Sequence, residues 1–238
     1  MKVKRLIPAV AMLLVSAMLL GTSTFAWFSM SKDVTATDME ITAKSDAIFL
    51  LIKGEDDADF STTGSAGLDE ELYPAHHEAW TSVADIEDFD MAVADTYDNW
   101  YYRYSDDPAV YNSNMTAKAY ISSFDDYVAT TTYQVKLKDG STLTTGYDLY
   151  VSSITIPAGK GITVVIAGPD GYQEFSASAT PAFSAANILA NTVTTTASDI
   201  DVYVYFNGDD SNVYTNNIAA LTGEISFVMS AFTADQNP

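Results

Sequence analysis

Hydrophobic and polar positions alternate in twos along most of this chain. In SKDVTATDMEITAK, residues 31–44, Met39, Ile41 and Ala43 share one face and Glu40 and Thr42 the other, the period of a half-buried strand. AIFLLIK, 47–53, is a short apolar run that predicts a buried strand. After Tyr111 such segments come in close order: MTAKAYISSF (115–124), YVATTTYQVKLK (127–138), YDLYVSSITIP (147–157), GITVVIAG (161–168), YQEFSAS (172–178), DIDVYVYFN (199–207) and GEISFVMSAF (223–232). Ala129, Thr131, Tyr133, Val135 and Leu137 fall on one face of the second. In DIDVYVYFN the pattern sets Ile200, Val202, Val204 and Phe206 inward and Asp201, Tyr203 and Tyr205 outward. Asp139-Gly140 and Pro169-Asp170-Gly171 supply turns between strands. Short β-branched and aromatic strands separated by turns predict an all-β fold, an antiparallel two-sheet sandwich.

One region breaks the rhythm. GEDDADFSTTGSAGLDEEL, 54–72, reads as loop, and 79–98 as a helix, with Ser82 to cap it and Ile86, Phe89 and Val93 at helical spacing. Residues 55–107 hold half of the acidic residues and a single basic one, Arg103. Residues 54–112 therefore read as an acidic, partly helical insertion. It contains the densest aromatic cluster, YDNWYYRY, 97–104. Trp100, Tyr101, Tyr102 and Tyr104 are either core beneath the insertion or a face that stacks on a partner.

The N-terminus has a different grammar. Lys2, Lys4 and Arg5 precede an apolar stretch from Ala9 to Leu20, and Gly21-Thr22-Ser23-Thr24 follows. This is the tripartite layout of a secretory signal. Thr24 and Ala26 suit the −3 and −1 positions, so residues 1–26 are read as a signal peptide cut between Ala26 and Trp27. The alternative is an uncleaved anchor. Residues 27–238 are then one secreted β-sandwich domain, with 27–44 as its N-terminal arm or strand.

Net charge narrows the partners. At −21, with an isoelectric point near 4.1, the chain repels phosphate backbones and anionic lipid. No nucleic acid is expected as a partner, and no membrane after cleavage. The absence of cysteine excludes disulfides, thiolate metal sites and a cysteine nucleophile. His76 and His77 are adjacent, on opposite faces if that stretch is a strand, and lack the spacing of a helical zinc motif. Asp56, Asp57 and Asp59, and later Asp209 and Asp210, fit no twelve-residue calcium loop; they admit weak calcium binding at high concentration. No hydrolase, phosphate-loop or dinucleotide signature occurs. The chain is expected not to be an enzyme and to need no cofactor.

GTSTFAWFSMSKDVTATDMEITAKSD, 21–46, resembles the N-terminal region of the TasA/camelysin family of secreted proteins of Gram-positive bacteria. Phe25, Ala26, Trp27 and Phe28 stand where that family has an aromatic residue, alanines and a Phe around its cleavage site. Trp27 takes a position often held by alanine. FDDYVATTTYQVKL and DIDVYVYFNGDDSNVYTNN resemble its strands more loosely. The resemblance implies a jelly-roll sandwich, processing by a SipW-type signal peptidase, and an extracellular surface or biofilm-matrix protein that forms fibres. In the fibre-forming members the freed N-terminal segment adds as a strand to the next subunit. Here Trp27, Phe28, Met30, Val34, Met39 and Ile41 would form that assembly arm, unless the segment folds into its own sheet. The partner would be the chain itself, in a head-to-tail homopolymer. A monomeric surface adhesin is the alternative. Camelysin's classification as a casein-cleaving metallopeptidase adds a third reading, which these histidines do not favour.

Overall fold

The computed structural model describes residues 39–45, 50–68, 71–87, 89–90, 96–97, 99–102, 119–139, 147–213, 219–221 and 223–232. All belong to one compact unit, residues 37–238; a second unit spans residues 1–36. The signal peptide, Ala26, Trp27, Phe28, Met30, Val34 and Tyr104 lie outside the described residues.

In chain order the strands are β1 (Met39–Ser45), β2 (Leu50–Lys53), β3 (Thr63–Leu68), β4 (Glu71–Leu72), β5 (Ala75–His77), β6 (Phe89–Asp90), β7 (Thr96–Tyr97), β8 (Trp100–Tyr102) and β9 (Ala119–Tyr120). After them come β10 (Val128–Leu137), β11 (Asp148–Thr155), β12 (Ile162–Gly168), β13 (Gly171–Phe175), β14 (Ser198–Phe206), β15 (Ala219–Ala220) and β16 (Glu224–Phe232). Two sheets form the sandwich, one ordered β11-β16-β1-β3 and the other β13-β12-β14-β10-β2. The alternating strands bury one face between them. Ile41, Leu149, Val151, Phe227 and Met229 of the first sheet join Leu50, Tyr133, Val135, Val164, Val202 and Val204 of the second in one core. Tyr133 crosses that core. Its ring meets Phe227 edge-on at 5.5 Å, and its hydroxyl donates to the Ile41 carbonyl at 2.7 Å. A buried hydroxyl needs such a partner.

One pair departs from the antiparallel expectation: β1 runs parallel to β16, with Ile41 opposite Ile225. Parallel neighbours require a long crossover. Here almost the whole domain lies between the first strand and the last, so the requirement is met without a dedicated connection.

Two further expectations are corrected. Residues 63–68, read as loop, form β3, which pairs with β1 and buries Ala66 and Leu68. The described residues of 79–98 (79–87, 89–90 and 96–97) contain no α-helix. A single 3-10 turn, Val83–Asp85, follows Ser82, and then Phe89 and Asp90 pair with Tyr97 and Thr96. The Trp100 indole N–H donates to the Ile86 carbonyl at 2.7 Å, taking the acceptor that a continuing helix would use.

The described residues between β3 and β10 form a third layer, a cap over the outer face of the second sheet. Ala75, Trp80, Ile86, Trp100, Ile121 and Phe124 pack there on Val128, Val165, Ala167, Tyr203 and Tyr205. All seven residues of β12 are buried, because both its faces are covered. Tyr203 and Tyr205 do point away from the main core, as alternation predicts, yet they enter a second core.

Candidate functional sites at the cap seam and the sheet edges

The aromatic cluster proposed for partner binding is largely interior. Trp100 is fully buried and Tyr101 nearly so, while Tyr102 is half-buried. Trp100 packs edge-on against Phe124 and Tyr205 at 5.5 and 5.1 Å. Tyr101 stands between its cross-strand neighbours His76 and Tyr120, and its hydroxyl donates to that of Tyr120 at 3.3 Å. Tyr120 is 49% exposed, the one large exposed hydrophobic residue among those described.

The two histidines of β5 brace the cap to the sandwich. Nδ1 of His76 lies 2.5 Å from the Asp209 carboxylate, on the loop after β14. His77 stacks on Trp80, with ring centres 3.7 Å apart, and its Nε2 lies 3.3 Å from Glu174 on β13. Its Nδ1 faces the Glu78 carbonyl at 2.7 Å and must donate. Both ring nitrogens of His77 thus face oxygen acceptors. Burial alone would raise the Glu174 carboxyl. The hydrogen bond and charge of His77, the Tyr205 hydroxyl and the charge of His76 outweigh it and hold this group below the usual carboxylate range. Burial, and then the charge of Glu174, push Tyr205 well up, so it remains a neutral donor to Glu174 at 3.3 Å. Beside this seam an open cleft of about 650 Å³ is lined by Thr81, Ser82, Val83, Pro169, Asp170 and Tyr172.

These contacts reassign the candidate metal ligands. His76 and His77 take separate carboxylates, and no group of three His, Cys, Asp or Glu among the described residues is arranged to hold a metal ion. Asp210 accepts from its own loop, at the Asn212 amide. Asp56 and Asp57 are acceptors for backbone amides, and these amides belong to a sheet edge.

Sheet edges are the other candidate site, because unpaired amides and carbonyls are templates for association. The outer edge of β11 is covered largely by backbone. Leu149 exchanges hydrogen bonds with Leu189 and Ala190, and Ile154 with Ala179. The outer edge of β2 is covered likewise, with Ile52 and Ser61 exchanging bonds of 2.7 and 2.9 Å. The edge of β3 is different, because side chains cover its amides. Thr63 N–H donates to Ser61 Oγ at 3.0 Å, Ser65 N–H to Asp57 at 3.0 Å, and Gly67 N–H to Asp56 at 2.9 Å. Asp57 also accepts from Gly54 N–H at 2.8 Å, which fixes the loop against the strand. Gly54 is required there: a Cβ would lie 2.1 Å from the Ser65 carbonyl oxygen.

Of the arm residues, the structure places two. Met39 opens β1, and Ile41 is fully buried in the middle of the domain's own sheet. Both are part of the sandwich, so an arm available for donation has to lie before them, within residues 27–38. Local sequence gave no sign of the His–carboxylate braces or the amide caps, since each joins segments that pattern reading treats separately.

Comparison with known protein families, characterised proteins and solved structures finds no match to this chain.

Proposed function

We propose that the chain is a secreted structural protein of the cell surface or biofilm matrix. It is a jelly-roll relative of the TasA/camelysin proteins, released by a SipW-type peptidase and assembled into fibres. The segment from Trp27 to Asp38 of one subunit adds as a strand to the next. The observation that carries the reading is the rooting of β1. Ile41 is locked in the central core, so the segment before Met39, with Trp27, Phe28, Met30 and Val34, starts from a fixed point. Strand addition supplies backbone hydrogen bonds, with alternate side chains filling pockets, and a head-to-tail contact that does not close propagates as a filament. No catalytic role is assigned to His76 or His77, whose rings brace the cap.

The adhesin alternative now has less to work with, because Trp100 and Tyr101 are committed to packing. What still favours it is Tyr120, exposed beside Tyr101.

Electron microscopy of the processed, secreted protein tests the proposal. Filaments that disappear when residues 27–37 are deleted are the expected result. Dispersed particles at all salt and calcium concentrations would refute it.

A further inference from the structure

We propose that the free edge of β3 is the acceptor for strand addition, and that Asp56 and Asp57 keep it closed until a second copy's residues 27–38 displace them. This rests on the fibre reading and adds where the strand lands and what controls it. Among the edges described above, β2 and β11 are closed by backbone exchange, which an incoming strand would have to unzip. On β3 the amides of Thr63, Ser65 and Gly67 are held by side chains of the preceding loop. Side chains rotate away without unfolding a strand. The alternation of held amides at 63, 65 and 67 matches the spacing at which an added strand would bond.

The strand is open at its far end: its sequence is TGSAGL, and a Cβ built at Gly67 meets nothing closer than Asp56 at 3.8 Å. At Gly64 and Ser65 the Gly54 backbone packs against it, so an added strand also has to swing the turn at 54–57 aside. Residues 27–38 are long enough to pair along all six residues of β3. A second copy is the fitting donor. Within one chain, Met39 pairs with Leu68 on the opposite side of β3, so the same segment would have to reverse and pass around the strand it pairs with. Two β3 edges brought together directly would oppose four aspartates, which disfavours edge-to-edge pairing.

The test compares the processed protein with three variants: D56A/D57A, D56N/D57N, which keeps an acceptor oxygen at each position, and G67P. Proline removes only an outward amide, a place where edge strands tolerate it. Hydrogen exchange at Ser65 and Gly67 should quicken about tenfold in the alanine pair and change less in the asparagine pair. Association, followed by sedimentation and microscopy, should quicken by a similar factor in the alanine pair. It should fall at least tenfold in G67P. Disulfide capture between cysteines introduced at Thr63 and Ser31 should link different chains, with no native cysteine to interfere. Faster exchange without faster association, or unaltered association in G67P, would overturn the proposal while leaving the fibre reading intact. A wild-type protein that stays monomeric while the alanine pair associates through position 63 would sink the fibre reading and keep the gated edge. If the alanine pair fails to fold, G67P and the capture experiment still decide.

Discussion

Replacing Trp100 separates the two roles open to the aromatic cluster. Its side chain is fully buried, its ring packs against four other aromatic rings, and its N–H satisfies the Ile86 carbonyl. Truncating a buried Trp to Ala costs about 3–5 kcal/mol. Leaving the Ile86 carbonyl unpaired adds about 1 kcal/mol or more. Trp100→Ala should therefore lose about 5 kcal/mol, a large share of the stability of an ordinary domain. Trp100→Phe keeps most of the ring packing and loses the donor, so about 2 kcal/mol is expected. Urea unfolding followed by far-ultraviolet circular dichroism measures both, and near-ultraviolet dichroism reports whether the cap loosens first. A binding face predicts the opposite: near-normal stability with loss of partner binding. A change below about 1 kcal/mol in Trp100→Ala would refute the assignment of this ring to the second core.

Three other outcomes follow from single contacts. Tyr133→Phe removes the bond to the Ile41 carbonyl and should cost about 1–2 kcal/mol, lowering the melting temperature by several degrees in calorimetry. Gly54→Ala drives a Cβ into the Ser65 carbonyl and should cost about 2 kcal/mol or more in urea unfolding, whereas Gly159→Ala, with open space around it, should suffer only backbone strain. Glu174→Gln should be less stable than the wild type at neutral pH. The folded carboxyl lies below its unfolded value, so its contribution is complete above the unfolded value and fades as pH falls through the folded one. Thermal melts between pH 7 and pH 3 should show the two proteins converging, and a gap that persists in acid would contradict the brace.

Alternation made β10, β14 and β16 legible, because each has a face in the main core and the pattern records it. The continuous apolar run of β12 already carried a second message, that its outer face is covered too. So did Tyr203 and Tyr205, two large rings on a face assigned to water. The cap that covers them comes from residues far away in sequence, which is why the pattern revealed the need for a cover and not its source. β3 was missed for a different reason. Its buried positions are Gly64, Ala66 and Leu68, and a glycine and an alanine carry too little apolar surface for β propensity or alternation to mark the strand. The false helix came from true spacing. Ile86 is indeed buried, but Trp100 takes its carbonyl, and a tertiary hydrogen bond overrides a local preference.

The acidity of the chain acquires a structural meaning from these contacts. With 32 acidic and 11 basic residues, most carboxylates have no Lys or Arg to pair with. Many bond instead to backbone amides: Asp56 and Asp57 on β3, Asp85 at Thr81 and Ser82, Asp148 at Thr192 and Asp170 at Asn191. Hydrogen bonds from Thr81 and Ser82 hold the Asp85 carboxyl below its usual value, as His77 does for Glu174. Such short-range bonds are little affected by salt, while the repulsion among excess negative charges is screened by it. Acid acts on both at once, removing the charge-assisted bonds of Asp85 and Glu174 and relieving the repulsion. High salt has already removed the repulsion, so there the loss of bonds is felt undiluted. Lowering the pH from 7 to 3 should consequently destabilise the protein more in 1 M salt than in 0.05 M salt, as read from urea midpoints. If acid destabilisation instead shrinks as salt rises, these carboxylates stabilise the fold through screened charge pairs, and the hydrogen-bonding account of Asp85 and Glu174 fails.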